Sequence, residues 1–175
     1  MLNPLVRRTL APCGQTPSLT VTGGTHQKVS VIAGLSLSPI AHHLGLYFRT
    51  VADGYFNNVG VADFVRDLLR HLRGKVIVVW DNGRMHKGDP IRQLLADCPR
   101  LSLAYLPPYA PDLNPVEQLW NYLKYGQLAN YVPQHLQQLD DRVVEILVDA
   151  KYDPGRLQSC YNNTPLIDAI RTLDS

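Results

Sequence analysis

The chain has 175 residues, 45% of them apolar and 18% charged, which suits one packed domain and argues against disorder. A formal charge of +2 excludes a generally basic surface, so any contact with nucleic acid must be local. Three cysteines at long spacings, Cys13, Cys98 and Cys160, write neither a disulfide framework nor a CxxC zinc site.

No apolar run approaches the ~18 residues of a membrane span, and "MLNPLVRRTLAPCGQTP" lacks the apolar centre of a signal peptide. A reducing, cytoplasmic setting without membrane contact is expected. Met1 and Leu2 sit like the tail of a strand already under way.

Lys28–Ser38 alternates strictly, with Val29, Val31, Ala33, Leu35 and Leu37 on one face, the period of a half-buried strand. "SPIAHH" reads as a turn, and Leu44–Val51 as a second strand rich in aromatic and β-branched residues. Asp53-Gly54 is a turn signal. From Val61 the period becomes helical, through Phe64, Val65, Leu68, Leu69 and Leu72, with Gly74 placed to end the helix. Val76–Trp80 is a continuous apolar run, the pattern of a strand covered on both faces.

"DPIRQLLADCP" offers Asp89 as N-cap, Pro90 at the first helical position and Pro99 as a stop. Cys98 reads as a small buried residue there. Leu101–Leu106 is a further short strand. The remainder is helical, from Asn114 to about Tyr125, and again with Leu136, Leu139, Val143, Ile146 and Leu147 on one stripe. Antiparallel strands followed by βαβ units give an α/β class with a mixed central sheet flanked by helices. A single domain spans 1–175, with 135–175 as its C-terminal helical extension.

Two carboxylates stand out. Asp81 directly follows "VIVVW", at the carboxyl end of a strand, where α/β sheets place reactive groups; "DNG" is equally a plain tight turn. Glu117 lies in "LPPYAPDLNPVEQLW", where Asn114, Pro115 and Glu117 occupy N-cap, N1 and N3 of a helix. That arrangement permits a capping box, with the glutamate bonded back to the cap amide. It equally permits a stiff, proline-fixed approach that turns Glu117 toward Asp81. Paired carboxylates on rigid elements suit acid–base chemistry or magnesium, and two-metal phosphoryl transfer would call for a third carboxylate.

At "VVWDNGRMHKG" followed by "LAYLPPYAPDLNPVEQLWNYLK" the sequence resembles the DDE-type transposases of the mariner-like superfamily, in the branch of bacterial insertion sequences. The resemblance runs from about Leu2 to Gln138, with "PPY-P-LNP-E--W" as its most specific part, and "RRTLAPCGQTP" matches the segment after the family's first strand. It implies a ribonuclease-H-like fold and an acidic triad holding Mg2+, with Mn2+ as an alternative. It also implies cleavage at transposon ends followed by strand transfer into target DNA.

On this resemblance Asp81 and Glu117 are the second and third catalytic, metal-holding residues, and His86 matches a histidine after the second aspartate. The first aspartate and a helix-turn-helix region would precede Met1, so the chain is expected to lack its first strand and to be inactive or nearly so alone. Neither Asp53, Asp63 nor Asp112 is a convincing substitute. The resemblance implies DNA as partner, a homodimer as a further option, and a nucleoid location.

Arg7, Arg8, Lys28, Arg84, Lys87 and Lys124 are candidates for phosphate contact, each with solvated surface charge as the plain alternative. Arg84, His86, Lys87 and Lys124 are carried forward as DNA-binding candidates. His86 is open as a general base, a DNA contact or a loop stabiliser. Trp120 and Tyr122 are candidates for base stacking, with packing of the helix on the sheet the alternative for Trp120. His42 and His43 have no nearby partners for a metal site. The rival to a strand-transfer enzyme is a non-catalytic remnant that folds, dimerises or binds DNA. A cellular nuclease of the same fold is a third reading.

Overall fold

Alternation of small and branched apolar residues puts one face of Val29–Ser38 (β1) onto the core, and β1 pairs antiparallel with His43–Ala52 (β2) in unbroken register from Val29↔Ala52 to Ser38↔His43. The computed structural model describes residues 5–8, 10–15, 18, 27–38, 43–162 and 164. The expected 39–42 turn, including His42, lies outside them. Asp53 takes a positive φ of 51° where β2 turns away, a conformation that aspartate tolerates better than most residues.

Helix α1 (Asn58–His71) starts earlier than its periodicity suggests, because the Asn57 side chain accepts a hydrogen bond from the Gly60 N–H. Its end also differs from expectation. Leu72 is already extended and Gly74, at φ 73°, lies beyond the cap. The carbonyls of Leu69, Leu72 and Gly74 are instead gathered by the Arg100 guanidinium, a cation well suited to the negative end of a helix.

Strands β3 (Val76–Trp80) and β4 (Leu101–Tyr105) pair in parallel, connected through α2 (Asp89–Asp97). Gly88, not Asp89, is the N-cap of α2, and its φ of 102° favours glycine there. Helix α3 (Pro115–Asn121) runs into one π-helical turn, Tyr122–Gln127. Helices α4 (Leu136–Lys151) and α5 (Pro154–Asn162) complete the described chain, and α5 carries too weak a stripe to be read from sequence.

Two apolar clusters hold these elements. In the first, Leu46 of β2 packs with Leu119, Leu139, Val143, Ile146, Leu147, Leu157 and Cys160, and Val29, Val31, Ala33 and Leu35 of β1 lie against it. In the second, Val61, Phe64, Val65 and Leu69 of α1 meet Trp80, Ile91, Leu94 and Leu101, with Ile32 and Tyr47 reaching in from the first strand pair. Helix α1 therefore bridges both strand pairs. Cys98 is half-buried against the second cluster, less enclosed than expected.

The class is α/β, but among the described residues the strands form two separate pairs, β1–β2 and β3–β4. This corrects the reading of Val76–Trp80 as covered on both faces. Val76, Val78 and Trp80 face the second cluster, whereas Ile77 and Val79 are 69% and 45% exposed. Their apolar character suits a covered face, yet the space beside β3, toward β1, holds no described strand.

Candidate functional site

The parallel strands β3 and β4 end side by side, and their exits are tied together. The Leu106 N–H donates to the Trp80 carbonyl at 2.8 Å, and the Asn82 side-chain amide donates to the Leu106 carbonyl at 3.0 Å. Asp81 thus leaves the sheet on a fixed stem. Its Oδ1 accepts the Gly83 N–H at 2.7 Å and lies 3.2 Å from His86 Nε2. A Cβ on Gly83 would stand 2.8 Å from that same Oδ1, so only glycine leaves the carboxylate its place. The "DNG" turn is real, and it presents the aspartate: its side chain remains 65% exposed.

His86 stacks on Trp80, with ring centroids 4.5 Å apart. Burial pushes its imidazole below the ordinary value of 6.5, against the opposing pull of the Asp81 carboxylate. A neutral ring bonded to Asp81 must carry its proton on Nε2, which leaves Nδ1 as a bare acceptor. Nδ1 of His86 and Nε1 of Trp80 are both buried without a partner among the described residues.

Glu117 arrives from the other strand. After β4, Leu106–Ala110 and a 3₁₀ turn at Pro111–Leu113 lead to α3. Asn114 caps that helix, its side chain accepting the Val116 N–H at 3.2 Å. The capping box does not close: the Asn114 N–H donates to the Pro111 carbonyl at 2.9 Å, and no hydrogen bond ties the Glu117 carboxylate to it. Proline geometry supplies what the glutamate would have supplied, so Glu117 lines a cleft of about 370 Å³ together with Asp81, Asn82, Gly83, Tyr109 and Asn114. The two carboxylates, from different strand exits, border one space, and a helix N-terminus adds favourable potential to it.

The other candidates divide. Arg84 and Lys87 are exposed in the turn after Asp81, Arg84 without an ion-pair partner among the described residues and Lys87 near the Tyr105 ring. Lys124 is exposed in the π-helical turn and borders a second, larger cleft. Arg7 lies over Tyr125 and donates to its carbonyl, and Lys28 lies over Tyr55. Arg8 is exposed. Trp120 packs against the first cluster, the alternative expected for it. Arg156 covers a face of the Tyr122 ring at 4.1 Å, which leaves that face unavailable to a base.

Tyr109 was missed by sequence reading. It is fully exposed at the cleft mouth with a φ of 58°, a rare conformation for a bulky residue. The only sequence signal was its place among Pro107, Pro108 and Pro111.

Magnesium keeps several waters and takes one or two protein carboxylates, a requirement that the donor chemistry of Asp81 and Glu117 fits. A closed, all-protein metal cage does not fit, since among the described residues no three His, Cys, Asp or Glu side chains group to hold an ion. Among them, too, no helix is long and apolar enough to cross a membrane.

A family model described as "DDE superfamily endonuclease" matches residues 2–140. No curated protein matches the chain. Among solved structures, it is similar to the Mos1 transposase paired-end complex with left transposon end, at 16% identity and a TM-score of 0.56, over 93% of this chain and 52% of that one. The chain thus spans about half the length of that relative, and the likeness extends its α/β arrangement to a ribonuclease-H-like fold. With most of its length matched, the chain belongs to the DDE superfamily of endonucleases.

Proposed function

We propose that the chain is the catalytic region of a transposase-type nuclease that cleaves and joins DNA with a divalent metal, Mg2+ or Mn2+, held through Asp81 and Glu117. One observation carries this reading: two carboxylates 36 positions apart border a single cleft at the exits of two parallel strands. A bound divalent ion supplies Lewis-acid stabilisation of charge on phosphate oxygens and lowers the pKa of an attacking oxygen.

The chain's own groups do the positioning. Gly83 N–H and His86 Nε2–H hold one oxygen of Asp81, which leaves the other free to face the cleft. The prolines fix the entry of α3, and thereby Glu117. Arg84, His86 and Lys87, in the turn after Asp81, and Lys124, in the π-helical turn after α3, would meet the DNA backbone, and Tyr109 offers an exposed ring for a base. Transposon ends and target, in a bacterial insertion sequence, are the DNA this reading names, with a homodimer and a nucleoid setting as its further parts. Residues 135–175 would belong to the same single unit.

Two carboxylates bind metal more weakly than a triad, so the 175-residue polypeptide by itself should nick DNA only near background. The test is conversion of supercoiled plasmid to open circle with Mg2+ or Mn2+. Background nicking, together with DNA binding that weakens in Arg84→Ala and Lys87→Ala, supports the reading. Robust nicking lost in Asp81→Ala would keep the nuclease and overturn its near-inactivity. The absence of both DNA binding and metal binding would favour a non-catalytic remnant.

A further inference from the structure

A chain of net charge +2 can hold a basic surface only where its carboxylates are scarce. Residues 1–52 and 118–139 contain no Asp or Glu. The fold brings parts of these two stretches together. Leu5 and Ala129 form a parallel bridge, the Asn130 N–H donates to the Leu5 carbonyl at 2.9 Å, and the Asn130 side chain accepts the Arg7 N–H at 2.8 Å. Asn130 has a φ of 58°, which asparagine adopts more readily than most residues. One residue thus turns the chain and pins the segment that carries Arg7.

The Arg7 side chain is held as well. Its guanidinium lies 4.9 Å from the centre of the Tyr125 ring and donates to the Tyr125 carbonyl at 3.3 Å. One N–H is spent in this way, and the rest of the planar fork is open. Elsewhere Arg49, Arg66, Arg70, Arg92 and Arg142 each meet a carboxylate, and Arg100 is spent on carbonyls. Among the described residues no carboxylate pairs with Arg7, Arg8 or Lys124, and all three are exposed. An arginine already ordered by a ring and a carbonyl loses less freedom on binding, and its fork matches two oxygens of a phosphate.

Tyr125 stands in the π-helical turn that continues α3 without a break. Such turns are rare and frequent at functional sites. Glu117 and Lys124 are seven positions apart on this one rod, ~10 Å along its axis at ~1.5 Å per residue. A DNA strand advances ~3.4 Å per nucleotide, so about three steps cover that distance. A polyanion that approaches two carboxylates needs cations close by to offset the repulsion. The rod supplies both, with the carboxylate toward its start and the cations toward its end.

We propose that Arg7, seated on Tyr125 and flanked by Arg8 and Lys124, is a phosphate clamp for the DNA strand leading away from the Asp81–Glu117 cleft. The proposal rests on the nuclease reading for the identity of that strand. It carries no base specificity, since phosphate contacts position a strand without reading it.

The test is fluorescence anisotropy of the full chain with a short fluorescein-labelled DNA duplex in the presence of a chelator, from ~50 to ~200 mM KCl. Arg7→Ala is expected to weaken binding about tenfold and to lower the slope of log K against log salt by about one. Arg7→Lys keeps the charge and should keep the slope, yet bind more weakly than the parent because the fork is lost. Tyr125→Leu removes the platform and should also keep the slope, with affinity about threefold lower. If Arg7→Ala fails to fold, the other two variants carry the test.

Unchanged affinity and slope in Arg7→Ala, while Arg84→Ala still weakens binding, would overturn the clamp and leave the nuclease reading standing. An equal loss of slope in Arg7→Lys and Arg7→Ala would mark the segment as structural and overturn it too. Poly-glutamate bound more tightly than the duplex, and released by Arg7→Ala, would assign the patch to an acidic polypeptide and overturn the proposal. No binding of the duplex by the parent chain would overturn the clamp and the DNA reading together.

Discussion

The two strand pairs are built from similar residues and end in different situations. β1 and β2 run ten residues each, and apolar clusters cover both their faces, so that Leu46 has no exposed surface. β3 and β4 run five residues each and are covered on one face, with Ile77 and Val79 left in the open. The difference teaches that the long pair is the foundation and the short pair is a platform. The short pair leans on α1 and α2 at one face, and its free exits are where the chain sets Asp81 and, through the following loop, Glu117. On the proposed reading, stability and chemistry are thereby placed on different strands.

Core truncation gives the largest contrast. Leu147→Ala, at a fully buried position against β2, is expected to cost about 2–5 kcal/mol in urea unfolding. Ile77→Ala should fall within about 0.5 kcal/mol, as surface changes do. Comparable losses would mean that β3 is covered on both faces after all. Next in size is Arg100→Ala, which strips three carbonyls at the end of α1 of their donor. The expected loss is about 1.5–3 kcal/mol, the range of hydrogen bonds to charged groups, read from the same denaturation curves. Asn114→Ala removes the cap of α3 and should cost about 0.5–2 kcal/mol. Asn114→Asp should recover most of it.

The smallest effect is on pH dependence. Burial raises the pKa of the Cys160 thiol from 9.0 and of the Tyr161 phenol from 10.0, both on α5 against the long pair. The unfolded chain releases these protons first, so stability is complete below about pH 9 and declines as pH rises through the unfolded values. Melting temperatures from pH 7 to 10.5 should show that decline, and Cys160→Ala should remove its earlier part. A flat profile would mean that α5 does not bury these groups.

Much of this was legible in the sequence. The alternation of Lys28–Ser38, the β-branched and aromatic stretch Leu44–Val51, the apolar run Val76–Trp80 and the short stretch Leu101–Leu106 marked the four described strands nearly to the residue, because period and β-branching act locally. The positions of Asp81 and Glu117, as candidates, were legible because one follows a strand exit and the other lies at a helix start. What covers a strand was not legible. The run Val76–Trp80 is written for two covered faces, but coverage depends on neighbours far along the chain or outside it. The capping box failed for a related reason. Whether Glu117 or the Pro111 carbonyl serves the Asn114 N–H is decided by the loop's path, which proline spacing alone does not fix. Arg100, which binds carbonyls 26 to 31 positions away, carried no local signal.

Smaller local rules can be tested at the site itself. Gly83→Ala introduces a methyl 2.8 Å from the Asp81 carboxylate and should swing it from its seat. Metal affinity should then fall by about 10–100-fold, the usual cost of disturbing a ligand's support, with little change in melting temperature.

The central claim is that Asp81 and Glu117 serve one cation. Paramagnetic broadening of amide signals by substoichiometric Mn2+ tests it directly. The account predicts that signals from Asp81–Gly83 and from Asn114–Glu117 broaden together at the same low concentration, and that Asp81→Ala relieves both sets. Broadening confined to one set, or relief of only the mutated one, would contradict it.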